Sequence, residues 1–399
     1  MKIDPRIAVL HNEMMLWRHD IHRHPETAFE ERLTSAFVAA KLAEFGVEVH
    51  TGLAGTGVVG TIKGNRDDGR AIGLRADMDA LHLDERNEFP HKSAHAGKMH
   101  GCGHDGHTTM LLGAAKVLAE RRDFAGCVHL IFQPAEENVG GGRVMVEQGL
   151  FDRFPVLGVY GLHNYPSLPL GHFAVRKGPM MASYDIFELV LKGKGAHGGL
   201  PHQSIDPVVM SAQVVLGLQT IASRITDPID SVVISVTQIE GGATWNVIPE
   251  QVTLRGTVRA LQPAARDSVE PLMRRIAEGI CGAQGGSVAM RYERRYPPLE
   301  NHDRETEEAL AAARRVAGAA AVDGNCKPIM ASEDFAFMLN VRPGSYLLVG
   351  NGDTAPVHNP RYDFNDALLP IGASYWLALV DQILGSGAIN AGSAGGTAG

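Results

Sequence analysis

The 399-residue chain has little cysteine: four residues, at positions 102, 127, 281 and 326, too few and too scattered for a disulfide framework, so a reducing compartment is expected. It has no basic run, and its formal charge of −8 argues against nucleic acid and anionic membrane surfaces as main partners. The opening MKIDPRIAVLHNEM carries Asp4 and Glu13 and lacks the apolar core of a signal peptide. No later run approaches membrane-spanning length, so a cytoplasmic location is expected. No internal repeat is evident. What is present is the composition of an ordinary globular protein, 44% hydrophobic and 21% charged, long enough for two or three domains and suited to a small-molecule ligand. From Gly385 onward the small residues of GSGAINAGSAGGTAG cannot bury enough surface to order themselves, which predicts a disordered tail at 385–399.

Patterning predicts an α/β protein. A helix runs through Trp17 and Ile21 to His24-Pro25, and a second runs from Phe29-Glu30-Glu31 to Phe45, stopped by Gly46. Gly57 to Ile62, Ala71 to Arg75 and Val128 to Phe132 suit buried strands, and Thr108 to Arg121 a buried helix. Asp77, Asp79, Glu136, Glu137 and His163 follow predicted strands, where functional residues of such sheets collect. Between Tyr184 and Pro297 the pattern changes to strand (Asp185 to Lys192), helix (Pro207 to Arg224), strand (Ser231 to Ile239), strand (Gln251 to Ala260), helix (Ala264 to Ala283) and strand (Ser287 to Tyr292). This β-α-β-β-α-β order is ferredoxin-like and marks an inserted α+β domain. A helix from Glu305 to Gly318, a strand from Ser345 to Val349 and a closing helix from Leu369 to Leu384 then resume the first domain, a central mostly parallel or mixed sheet flanked by helices.

The densest chemistry is MHGCGHDGH, Met99 to His107. Imidazole, thiolate and carboxylate are metal-binding groups, and Gly101, Gly103 and Gly106 let the backbone bend so that several converge. A redox thiol at Cys102 lacks the partner of a C-x-x-C pair, while a thiol nucleophile activated by histidine and a merely structural histidine cluster stay open. RADMDAL (Arg75 to Leu81), QPAEEN (Gln133 to Asn138), GLHN (Gly161 to Asn164) and PVHNP (Pro356 to Pro360) add further candidates. Glu136 and Glu137 repel each other, and sharing one site makes sense if a cation neutralises one and the other accepts a proton; alone, the pair reads equally as a solvated strand end.

These motifs, together with HRHPETAFEE, GPMMAS, GKGAHGGLPH, NVIPE, LRGTVR and SEDF, resemble in order and separation the metal-dependent aminoacylase and carboxypeptidase superfamily. Within it the chain is similar to the branch of hippurate hydrolases, N-acyl-amino-acid amidohydrolases and auxin-conjugate hydrolases. The resemblance covers nearly the whole chain. It implies a catalytic domain at 1–183 and 298–384 and an inserted lid and dimerisation domain at 184–297. It further implies that Cys102, His104, Glu137, His163 and His358 bind two divalent metal ions, with the Cys102 thiolate as bridge, and that Glu136 is the general base. Thiolate and imidazole favour zinc, and the carboxylate also admits manganese, cobalt or nickel. His197, in the glycine-flanked loop, is implied to contact the reacting carbonyl from a partner subunit, which makes the protein a homodimer or a higher oligomer. Asn246 and Arg255 resemble substrate-facing positions, and Arg255 reads equally as an internal ion-pair residue. Asp79 fits a residue that holds a ligand imidazole, or a turn aspartate. Asp77, Asp105 and His107 are not assigned as ligands, and His22 and His24 are explained by a helix dipole.

The resulting expectation is a dinuclear amidohydrolase releasing a carboxylic acid and a free amino acid from N-acyl-L-amino acids, hippurate-like or aliphatic. Rivals within the class are a metallo-carboxypeptidase or dipeptidase and an N-acetyl-intermediate deacetylase. The acyl pocket separates them, and Met180 and Met181 line it or pack a core. Outside the class stand a Cys102 thiol hydrolase and a non-catalytic metal- or peptide-binding protein.

Overall fold

The computed structural model describes residues 1–137 and 139–385. The main elements in chain order are α1 (Pro5–Arg23), α2 (Arg32–Glu44), β1 (Glu48–Leu53), β2 (Gly57–Lys63), β3 (Arg66–Asp77), α3 (His104–Arg121), β4 (Ala125–Gln133), β5 (Gly158–Pro166), β6 (Phe173–Ala174), β7 (Tyr184–Lys192), β8 (Ala196–His197), α4 (Pro207–Thr220), β9 (Val232–Glu240), β10 (Val247–Ile248), β11 (Gln251–Ala260), α5 (Pro263–Ala283), β12 (Ser287–Tyr296), α6 (Asp303–Ala317), β13 (Val322–Asp323), β14 (Gly344–Gly352) and α7 (Leu369–Leu384). They form two compact units. Among the described residues, one comprises Met1–Gly178, Glu300–Lys327 and 337–385; the other comprises Pro179–Leu299 and Pro328–Ala336.

The first unit is built on an eight-stranded mixed sheet of order β1-β2-β4-β3-β5-β14-β6-β13. Its middle is parallel, β4 with β3, β3 with β5 and β5 with β14. The apolar runs of these strands suit burial on both faces. Parallel register sets the strand ends side by side: Asp77 pairs with Gln133, and Arg75 pairs with Ile131 on one side and Gly161 on the other. Loops leaving the carboxyl ends of β3, β4 and β5 therefore converge, which gives the chemistry its location. Helix α3 packs against α1 and α7 and is buried along almost its whole length.

The second unit has the order β7-α4-β9-β11-α5-β12, with a four-stranded antiparallel sheet arranged β9-β11-β7-β12. This is the ferredoxin-like arrangement. Alternation along β7 turns Phe187, Leu189 and Leu191 inward onto Met210 and Val214 of α4 and Met273 of α5, while Glu188 lies on the other face.

Several expectations are adjusted. Helix α3 starts at His104 rather than Thr108, and α2 starts at Arg32 because Phe29 takes a left-handed backbone, φ 61°. The segments Pro207–Ile225 and Asp366–Leu384 are each 19 residues long and apolar enough to cross a membrane by length and composition, which corrects the reading that no run reaches that length. The second is a mostly buried core helix, and the first packs Met210, Val214, Leu218 and Ile221 into its own unit. Residues 179–183 and 328–336 group with the second unit, so Met180 and Met181 sit buried there. Apart from Gly385, the expected tail lies outside the described residues.

Candidate active site

MHGCGHDGH forms the turn into α3, with Cys102 buried before the helix and His104 as its first residue. Two of its glycines have distinct structural reasons. Gly103 sits at φ 99°, and a Cβ there would fall 2.2 Å from Asn164 Oδ1 and 2.6 Å from Tyr362 Oη. Gly106 has ordinary helical backbone, but a Cβ would fall 2.3 Å from the Phe364 ring. The glycines therefore serve close approach as much as bending, and what approaches is Asn164 of β5 together with the segment after β14, which carries His358. His358 itself has φ 64°, and its amide donates to the Gly101 carbonyl at 2.7 Å.

Donor atoms of Cys102, His104 and His163 lie within 4.8 Å of one another, as do those of Cys102, Glu137 and His358. The two groups share only the cysteine. His163 Nε2 is 3.4 Å from Cys102 Sγ, and His358 Nε2 is 3.0 Å from Glu137 Oε1. Each buried imidazole is fixed by its other nitrogen. His104 Nδ1 bonds the Asp79 carbonyl at 2.9 Å and Asp79 Oδ1 at 3.1 Å, and His163 Nδ1 bonds the Asn164 carbonyl at 2.6 Å. With Nδ1 donating, the Nε2 lone pair is available to a cation. His104 Nε2 is buried without a hydrogen-bond partner, an orphaned atom that a bound cation would satisfy. The donor set fits a pair of divalent ions.

Electrostatics agree. Burial and the neighbouring Glu137 push the Cys102 thiol up, opposite to the need of a cation-free nucleophile. Burial opposes charge on His104, but Asp77 and Cys102 outweigh it and raise its pKa well above the usual value. Burial likewise works against the Glu137 carboxylate, and the hydrogen bond and charge of His358 bring it below the ordinary range. His358 is raised chiefly by that same hydrogen bond. Negative donors around unpartnered nitrogen are the environment of a cation site.

Asp77, His107 and Asp105 are engaged with other partners, whereas His100 of the motif is buried with neither ring nitrogen hydrogen-bonded, and burial lowers its pKa to about 3. Asp77 bonds Arg75 Nη1 at 2.7 Å and His107 Nδ1 at 2.6 Å, and His107 Nε2 reaches Asn164 Oδ1 at 2.7 Å. Asp105 points to α1, where Arg18 Nε at 3.1 Å and His22 Nδ1 at 2.8 Å bond its Oδ2. Arg18 is fully buried and also pairs with Asp363, which ties α1 and α3 to the His358 segment. Helix-dipole reasoning thus misjudged His22. It is buried, bridges Asp105 and Glu85, and has its pKa raised to about 9 because those two hydrogen bonds overcome burial. The Arg18 and His22 spacing of four residues, one helix face, was the available signal. His24 is half-buried at the helix end, its Nδ1 on the Asp20 carbonyl.

Glu136 is buried in the turn after β4, with a carboxylate oxygen within 4.8 Å of His104 and Glu137 donor atoms. Asp79 also holds this turn, since its Oδ2 accepts the Glu137 amide at 2.9 Å.

His197, Asn246 and Arg255 belong to the second unit. His197 and Asn246 come together in a two-stranded ribbon, where His197 pairs with Val247 and the Gly198 amide donates to the Asn246 carbonyl at 2.7 Å. His197 is exposed, and its Nδ1 accepts the Gly199 amide at 3.0 Å, which leaves the proton on Nε2. Arg255 lies on the open sheet face and takes the ion-pair alternative, with Glu188 at 2.6 Å and Glu240 at 3.0 Å.

Residues 73–382 match the model of the family described as Peptidase family M20/M25/M40. The chain is 40% identical to hippurate hydrolase of Campylobacter jejuni, covering 96% of this chain and 100% of that protein. It is 38% identical to N-acetylcysteine deacetylase of Bacillus subtilis, covering 94% of this chain and 97% of that one. A solved Bacillus subtilis protein described as a dinuclear metal binding peptidase from the M20 family has a TM-score of 0.82 at 35% identity, covering 94% of this chain and 99% of that one. Likeness of sequence and fold over nearly the full length leads to one assignment: the chain belongs to peptidase family M20/M25/M40.

Proposed function

We propose that the protein is a dinuclear metal-dependent amidohydrolase that cleaves N-acyl-L-amino acids, hippurate-like or aliphatic, to a carboxylic acid and a free amino acid. The observation that carries this reading is the pair of donor groups sharing Cys102 and drawn from four separate segments of the chain. Cys102, His104 and His163 would hold one ion, Cys102, Glu137 and His358 the other, with manganese or zinc first and cobalt or nickel as substitutes. When bound, such a pair lowers the pKa of an associated water and polarises the amide carbonyl.

Glu136 takes the proton of the attacking water and delivers it to the departing nitrogen, so one carboxylate serves as base and acid. His197, presented by the partner subunit of a homodimer, donates from Nε2 to the oxyanion; the Gly199 bond to Nδ1 supports that tautomer. Asn246, beside it in the ribbon, is read as a second substrate contact. Arg255 reaches the product carboxylate only if it leaves Glu188 and Glu240. Four free cysteines support a reducing, cytoplasmic setting.

The test is hydrolysis of N-benzoylglycine, N-acetyl amino acids and dipeptides before and after chelation. Chelation abolishes activity and added divalent ions restore it. Survival of chelation together with loss on thiol alkylation alone would make Cys102 a nucleophile and end this reading. Identity to the N-acetylcysteine deacetylase favours a second reading, deacetylation of N-acetyl amino acids, and the same panel separates the two by kcat/KM.

A further inference from the structure

Glu31 is fully buried, and its hydrogen-bond partners are two amides and a hydroxyl: Phe29 N at 3.0 Å, Ala135 N at 3.0 Å and Thr56 Oγ1 at 2.6 Å. It occupies the N-cap position of α2, yet makes no capping bond there. The first amides of α2 are served instead by Glu26, which accepts Leu33 N at 3.0 Å and Thr34 N at 2.9 Å. A buried carboxyl group among neutral partners is unfavourable, and burial holds its pKa up at about 7. Packing alone would be better served by an apolar or amide side chain.

Its distant partner explains the choice. Ala135 has φ 54°, a left-handed conformation disfavoured for a residue with a Cβ, so contacts from outside the turn must maintain it. Those contacts are the Glu31 carboxyl on Ala135 N, Asp79 on Glu137 N at 2.9 Å, and the Gly141 amide on the Ala135 carbonyl at 2.8 Å. Glu136 sits between the two amides held by carboxyl groups. The segment carrying Glu31 is itself anchored beside RADMDAL by the Ala80 amide, which donates to the Glu26 carbonyl at 2.8 Å.

We propose that Glu31 is a positioning residue for hydrolysis: by accepting the Ala135 amide it fixes the turn that aims Glu136, while Asp79 holds the amide of Glu137. This rests on the reading of Glu136 as the base. Reach and acceptor capacity, rather than charge, are what the role requires.

The test compares Glu31→Gln, Glu31→Asp and Glu31→Leu in the metal-loaded full chain, with kcat and KM for N-benzoylglycine, metal content, and hydrogen exchange of the amides at 135–137. Glutamine keeps the acceptor at full reach and holds kcat within about threefold, whereas aspartate falls short and leucine offers nothing, each lowering kcat on the order of 10–100-fold. KM and metal content stay unchanged, and the turn amides exchange faster in the aspartate and leucine variants only. If the leucine variant does not fold, the aspartate and glutamine pair decides. Normal kcat and exchange with aspartate, a glutamine variant as impaired as leucine, or loss of kcat in proportion to metal would each overturn the proposal. Activity surviving in Glu136→Ala would instead remove the base reading, while the exchange data still decide whether Glu31 holds the turn.

Discussion

The two units present their reactive side chains in opposite ways. In the first, Cys102, His104 and Glu136 are buried, Glu137 and His163 half-buried, His358 of this set is exposed, and both His104 and His163 have the second nitrogen committed to a neighbour. In the second, His197, Asn246 and Arg255 are surface residues held by a short ribbon and ion pairs. Cation-binding groups repel one another until an ion arrives, so a rigid surround must hold them in place. A residue that meets substrate from a lid needs access more than rigidity, and an exposed ribbon supplies it.

Substitutions can break this contrast, beginning with the most severe. Glu136→Ala lowers kcat by about 10³–10⁴-fold with metal content retained, measured by hydrolysis and atomic emission; near-normal turnover would show that the buried cluster lacks the base. His197→Ala costs about 10²–10³-fold. Mixing that chain with Glu136→Ala restores part of the activity through hybrid dimers, and no recovery would place the exposed ribbon outside a partner's site. Asp79→Ala frees both His104 and the Glu137 amide, weakening metal retention or activity about 10–100-fold in a chelator titration.

The His22 brace sharpens the contrast through pH. Its pKa is raised from the ordinary histidine value of 6.5 to about 9, so its stabilisation is complete below about 6.5 and is lost as pH rises through 9. That is on the order of 3 kcal/mol, read as a fall in Tm across this window that His22→Gln removes. Arg255→Met has the smallest effect, leaving kcat/KM within about twofold because exposed ion pairs contribute little. A tenfold loss would instead assign Arg255 to the substrate.

Much of the architecture was legible because strand and helix periods repeat along both units, down to the β-α-β-β-α-β order. The start of α3 was not, since Gly103 enters the helix from a left-handed turn without a capping side chain. Among site residues, clustered histidines and paired glutamates announced themselves, while resemblance to a family was needed to choose among them. Arg18 and Glu31 gave little local sign. Their partners, Asp105 and Ala135, lie 87 and 104 residues away, and no periodicity reports a single hydrogen bond across such a gap.

His358 reaches Gly101 only after nearly all of the first unit has been made, and Tyr362 and Phe364 fill the space that Gly103 and Gly106 leave for them. During synthesis, Cys102 therefore leaves the ribosome long before its last neighbours exist. Until the segment after β14 docks, that thiol is open to oxidants and stray ions, and the complete donor set is among the last features of the newborn protein to form. A chain truncated just after β14 would lack His358, and with it the complete donor set, while keeping every strand named above.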